Sequence, residues 1–234
     1  MGSVENNRTR PEFCQLPLRS GDPKYSAWGL WGENDELGTL NLLTPAIVKD
    51  AAKEIITGTQ IVLNLSVDAF SQPMNPVRKP CSHRIIAKGH ANDDEIGIQN
   101  LSKRGIVGRG VLLDWATYAD DMCINTTSPF EAFEIPLSQL KAVAAQQGTT
   151  FCNGDILFIR TGWLKAYRSL SLKEQAALPH RKVRTSCGVE ASEEMMKWHW
   201  ENQFSAVASD TVAYEAWPSR RPAGVALHEV FLSG

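Results

Sequence analysis

"LSQLKAVAAQQGTTFCNGDILFIR", residues 137–160, decides the architecture. Apolar positions at three-to-four spacing predict a helix from Leu137 to Gln147, and Gly148 supplies the left-handed residue that closes it. DILFIR then predicts a strand. A helix running straight into an apolar strand is the repeating unit of an α/β fold.

The same alternation continues outward. Downstream, GWLKAYRSL (162–170) predicts a short helix, and Ser171 with Glu174 forms a capping box. EASEEMMKWHWENQ (190–203) predicts a helix, AVASD (206–210) a buried strand, and ALHEVFLSG (226–234) the start of another helix. Upstream, IVGRGVLLDW (106–115) predicts a strand whose continuous apolar run implies burial on both faces. Earlier still, Thr44 caps and Pro45 opens an amphipathic helix carrying Ile47, Val48, Ala51, Ala52, Ile55 and Ile56, ended by Gly58. TQIVLNLSV (59–67) reads as a strand, followed by a loop through Pro73, Pro76 and Pro80 and a short strand over 83–87. Residues 1–24 are polar, with three prolines, and read as an extended arm, so that order begins near Trp28 and residues 25–234 form one domain.

Composition narrows the function. The chain has 234 residues, 43% of them hydrophobic, enough for one sizeable core. Its net charge of −2, with no run of like charges, argues against nucleic acid as a partner. The polar beginning has no signal-peptide core, and no apolar run reaches the length of a membrane span. Five dispersed cysteines, none in a C-x-x-C pair, fit reduced thiols rather than a disulfide frame. A cytoplasmic location and no membrane contact are therefore expected.

Motifs from the residues alone are sparse. His90 and Asp94 have helical metal-pair spacing, but Gly89 and Gly97 flank too short a segment for a rigid helix, and a solvated acidic turn is the reading. Gly105, Gly108 and Gly110 raise a phosphate loop, yet a strand follows them where that loop needs a helix. No H-E-x-x-H or G-x-S-x-G occurs. His199, between Trp198 and Trp200, reads as a packed histidine, and His180 sits in the basic turn HRKVR.

Longer blocks carry more. SAWGLWGENDELGTLNLLTP (26–45), GIQNLSKRGIVGRGVLLDW (97–115), GTTFCNGDILFIRTGW (148–163), GVEASEEMMKWHWENQFSAVASD (188–210), EAWP (215–218) and LHEVFL (227–232) together resemble the cyclase family that includes kynurenine formamidases, in its larger fungal branch. That resemblance implies a swivelling β/β/α fold and a divalent metal, zinc or manganese. It also implies water-dependent cleavage of a small amide, ester or lactone in an oligomeric enzyme, of the kind used in secondary metabolism. His228 is the position that matches a metal-side histidine. The family's His-x-Gly-Thr-His-x-Asp motif, or its Gln-Trp-Asp variant, finds no match, because Glu95-Ile96 runs directly into Gly97. The family's continuation beyond LHEVFLSG has no counterpart before Gly234. Dropped exons are the expected origin. A chain so shortened is expected not to retain the metal, since a catalytic centre needs three protein ligands, and its activity is in question. His83, His90, Asp93 and Asp94 are possible replacement ligands that no spacing supports. Two further readings stand beside the enzyme. One is a non-catalytic protein that oligomerises with intact relatives, and the other a small-molecule binder walled by Trp28, Trp31 and Trp163, which also read as core residues.

Overall fold

A computed structural model describes residues 10–59, 65, 69–70, 73–75, 77–79, 105–124, 128–219 and 226–232. Of the strand expected over 59–67 only residues 59 and 65 are described, while the strand expected over 83–87, the acidic turn with His90 and Asp94, His83 and Asp93, and the junction at 95–97 lie outside the described residues.

Within them run helices α1 (Pro45–Ala51), α2 (Trp115–Asp121), α3 (Leu137–Gln147), α4 (Trp163–Ser169), α5 (Leu172–Ala177), α6 (Glu193–Glu201) and α7 (Leu227–Phe231). The strands are β1 (Gly110–Asp114), β2 (Glu134–Ile135), β3 (Ile156–Arg160), β4 (Gly188–Val189) and β5 (Ala206–Ser209). β1, β3 and β5 form a parallel sheet with β3 central, Gly110 opposite Ile156 and Ile156 opposite Ala206. β2 and β4 form a second, two-residue parallel pair. Parallel neighbours joined through helices are what alternation in the sequence demands, since a parallel pair needs a long crossover. The class is α/β.

The decisive stretch folds as read. α3 ends at Gln147, and Gly148 adopts φ 64°. Leu137, Leu140, Val143 and Ala144 bury one face of α3 in the main core, with Leu113, Leu157, Ile159, Met195 and Leu227. At 25 cal/mol per Å², each such side chain contributes about 2 kcal/mol on burial.

Four expectations change. β1 is not buried on both faces: Val111 and Leu113 are inside, but Leu112 is 50% exposed. The pleat sends alternate side chains to opposite faces, and only one of them meets the described core. β5 is half-buried along its length, being an edge of the three strands described. α1 begins on Thr44 as expected, with the threonine hydroxyl accepting from the Ile47 N–H at 3.3 Å, but gives way to a 3-10 turn at Ala52–Glu54. Ile55 and Ile56 then lie exposed; two β-branched residues followed by Thr57 and Gly58 carry little helix propensity. Finally, the expected arm is not frayed over the part described. Phe13, Leu16 and Tyr25 enter the main core, Phe13 stacks on Tyr25 with centroids 4.8 Å apart, and the Trp200 indole N–H donates to the Pro11 carbonyl at 3.0 Å. Prolines made the segment look irregular, but Phe13 and Leu16 anchor it in the core beside Tyr25.

Cys14, Cys123, Cys152 and Cys187 are free thiols. Cys187 is buried, and burial pushes its thiol pKa up, which keeps it protonated and inert. No helix among the described residues is long and apolar enough to cross a membrane.

Candidate functional site

The carboxyl ends of parallel strands are where α/β folds place their sites, and here that edge is polar. Asp114, at the end of β1, caps α2 by accepting from the Thr117 N–H at 3.0 Å, and it holds Arg160, the last residue of β3, at 2.6 Å. These bonds hold the Asp114 carboxyl below its usual range, against the opposing effect of burial. Asp210 follows β5 and gathers four donors: the Thr161 N–H at 2.6 Å, the Thr161 hydroxyl at 2.8 Å, the Gly162 N–H at 3.1 Å and the Leu164 N–H at 3.4 Å. A carboxylate at the start of α4 satisfies the helix's orphan N–H groups. Both aspartates are thus committed to fastening strand ends to helix starts.

Beyond Asp210 the chain turns back along β4. The Val189 N–H donates to the Tyr214 carbonyl and the Ala216 N–H to the Val189 carbonyl, each at 3.0 Å. This bridge fixes Glu215, whose side chain is almost wholly buried. The approach is so close that a Cβ on Gly188 would stand 2.2 Å from the Glu215 carbonyl carbon. Glu215 does not point away unused. One carboxylate oxygen accepts from the Leu227 N–H at the start of α7, and the other meets Nδ1 of His228 on the next residue.

His228 itself is half-exposed. A buried carboxylate against Nδ1 leaves Nε2 as the working nitrogen, and it orients the ring. That is the arrangement of a general acid or base, or of a metal-ligating imidazole with its carboxylate support. Ala226, which precedes α7, has its own N–H held by Glu229 at 2.9 Å, so the turn carrying His228 is pinned at both ends.

The other histidine of interest is spoken for. His199 is buried, with Nδ1 2.7 Å from the Met195 carbonyl and Nε2 2.7 Å from the Tyr214 hydroxyl. Burial lowers its pKa to about 4, so it stays neutral, as a packed histidine should.

The candidate tryptophans differ in burial and neighbours. Trp163 lies in a second small core with Phe130, Tyr167 and Cys187, stacked on Tyr167 at 5.2 Å, and its indole N–H has no acceptor among the described residues. Trp31 packs against the main core, while Trp28 is 47% exposed. Each of the three thus has its own packing environment: the second core, the edge of the main core, and the surface.

The implied metal fares no better. Among the described residues no group of three or more histidine, cysteine or acidic side chains is placed to hold an ion. His228 and Glu215 supply one outward nitrogen and one buried carboxylate, which falls short of a three-ligand centre.

A family model named Cyclase, described as "Putative cyclase", matches residues 82–216, more than half of the chain. The chain belongs to the cyclase family. A solved structure described as a novel cyclase superposes with a TM-score of 0.64 at 22% identity, covering 82% of this chain and 79% of that one. At that identity it shows the cyclase fold alone. No curated protein matches. Within this cyclase-family chain, Glu215 is the functional candidate that sequence reading left without a role. Its signal was there: an acid inside the matched block EAWP, shortly before the matched histidine.

Proposed function

We propose that this chain is a hydrolase of the kynurenine formamidase kind, acting on a small amide, ester or lactone, with His228 as its proton-transfer group and Glu215 as the residue that positions it. The single observation carrying this reading is the buried Glu215 carboxylate against Nδ1 of a half-exposed His228. A buried acid that only capped α7 would need its bond to Leu227 alone. The second bond converts it into an orienting group for an exposed imidazole.

In this reading Nε2 of His228 takes the proton from a water attacking the substrate carbonyl, and then returns it to the departing amine or alkoxide. Glu215 holds the ring through Nδ1 during both transfers. The divalent metal expected from the family would polarise the carbonyl when bound. The described residues do not complete a centre for it, and no step above passes through it.

The test is hydrolysis of N-formylkynurenine, an aryl ester and a small lactone by the purified chain, compared with His228→Gln and Glu215→Gln. Turnover that falls about a hundredfold or more in His228→Gln supports the proposal, the usual contribution of a general acid or base being of that size. Turnover that survives His228→Gln unchanged, or its absence from the unaltered chain with and without added zinc or manganese, sinks it.

A second reading, assembly with another cyclase chain, is favoured by exposed Ile106, Val107 and Leu112 on and just before β1. Sedimentation of the chain alone and with Leu112→Lys separates it from the first.

A further inference from the structure

A cavity of about 300 Å³ lies beside α6 and β5, and the first described segment and α7 also contribute to its wall. Phe13 and Tyr25 come from the first segment, Trp200 and Phe204 from α6 and the turn after it, and Phe231 from α7. Its size is at the lower end of small-molecule sites. His228 is not part of its wall, so it is separate from the Glu215–His228 pair.

The polar groups on this wall are already occupied, with one exception. Thr39 donates its hydroxyl to the Ser205 carbonyl at 3.1 Å, Ser205 donates to the Gly154 carbonyl at 2.9 Å, and both nitrogens of His199 are engaged. The exception is Arg10. Its guanidinium carbon sits 3.8 Å over the Trp200 ring, and Nε and Nη1 are buried without an acceptor among the described residues. Burial lowers its pKa to about 10, which still leaves it charged at neutral pH.

A desolvated cation with unused donors is costly unless something pairs with it. Around it, five aromatic rings offer flat apolar surface and no counter-charge. From this we infer that the cavity is a binding site for a small aromatic monocarboxylate, its carboxylate on Arg10 and its ring among Phe13, Tyr25, Phe204 and Phe231. Trp200 holds the guanidinium in place by stacking, so that less freedom is lost when the acid docks. Arginine suits this task because its N–H groups stay charged and planar against a carboxylate.

The experiment is titration calorimetry on the full chain with 3-phenylpropionate and with its neutral counterpart 3-phenylpropanol. Neither probe has a bond that the histidine pair can hydrolyse, so the outcome is independent of turnover. Saturable binding of the acid, at least about tenfold tighter than the alcohol, is expected from charge-assisted hydrogen bonds. Arg10→Gln should abolish that preference, and Arg10→Lys should keep part of it. Equal binding of acid and alcohol, no binding of either, or an undiminished preference in Arg10→Gln overturns the inference. The comparison of two probes on the unaltered chain stands whether or not the variants fold.

Discussion

Glu215 lies buried beneath His228 and binds it through Nδ1, while its second oxygen closes the first turn of the helix that carries the histidine. One carboxylate therefore sets both the backbone and the ring of the same short element. Replacing it by alanine leaves the Leu227 N–H without its partner in a buried place. The expected cost is about 1–3 kcal/mol of stability, read from urea denaturation followed by circular dichroism. Glu215→Gln keeps the shape and an acceptor for Leu227 but loses the carboxylate that orients the imidazole. It should fold with a smaller loss and hydrolyse more slowly than the unaltered chain, with the change in kcat rather than KM.

Gly188 supports this pair from behind. A methyl group there would stand 2.2 Å from the Glu215 carbonyl carbon, 2.4 Å from its oxygen and 2.5 Å from the Ala216 nitrogen. All three are backbone atoms, which cannot swing aside. Gly188→Ala is expected to open the contact between β4 and residues 214–216. It should destabilise the chain by more than about 2 kcal/mol, in the range of overpacked interiors, and impair hydrolysis as Glu215 moves. Equilibrium unfolding and an activity assay on the same preparation check both.

Gly148 offers the contrasting case. A Cβ there meets nothing within 4 Å, but the residue holds φ 64° at the end of α3. Gly148→Ala should cost only the strain of the left-handed conformation, about 1 kcal/mol, with no effect on hydrolysis. A melting curve lowered by a few degrees with unchanged kinetics is the expected result.

His199 makes stability depend on pH. Its folded pKa of about 4 lies below the 6.5 of an unfolded histidine. Between those values the unfolded chain binds a proton that the folded chain refuses, so stability falls as pH drops from about 6.5 towards 4. The full swing is on the order of 3 kcal/mol. In His199→Phe the part of the slope due to this residue should vanish. Denaturation midpoints at pH 7, 6, 5 and 4.5 for both chains measure it, and an unchanged slope in the variant would show that other groups dominate.

How much was readable from the residues depended on whether a signal was local. α3 and its Gly148 cap, the Ser171–Glu174 box and the Thr44–Pro45 start are written in neighbours three or four positions apart, and they fold as expected. α2 was hidden because Trp115 and Asp114 looked like the tail of a strand; the Asp114 side chain starts the helix by turning onto the Thr117 N–H. β2 and β4 are only two residues each and exist through pairing with chain far away in sequence, so no pattern announces them. The candidate site divides in the same way. His228 could be placed by a matched block, but its partnership with Glu215 depends on a bridge between Val189 and Glu215 that only the folded chain makes.

The aromatic cavity has walls from residues 10–40 and from 196–232, brought side by side. Such a chamber cannot exist on a nascent chain until α7 has left the ribosome and met the segment carrying Phe13 and Tyr25. Occupancy by an aromatic acid would consequently favour chains in which these distant segments have already met, and would act as a latch on their docking.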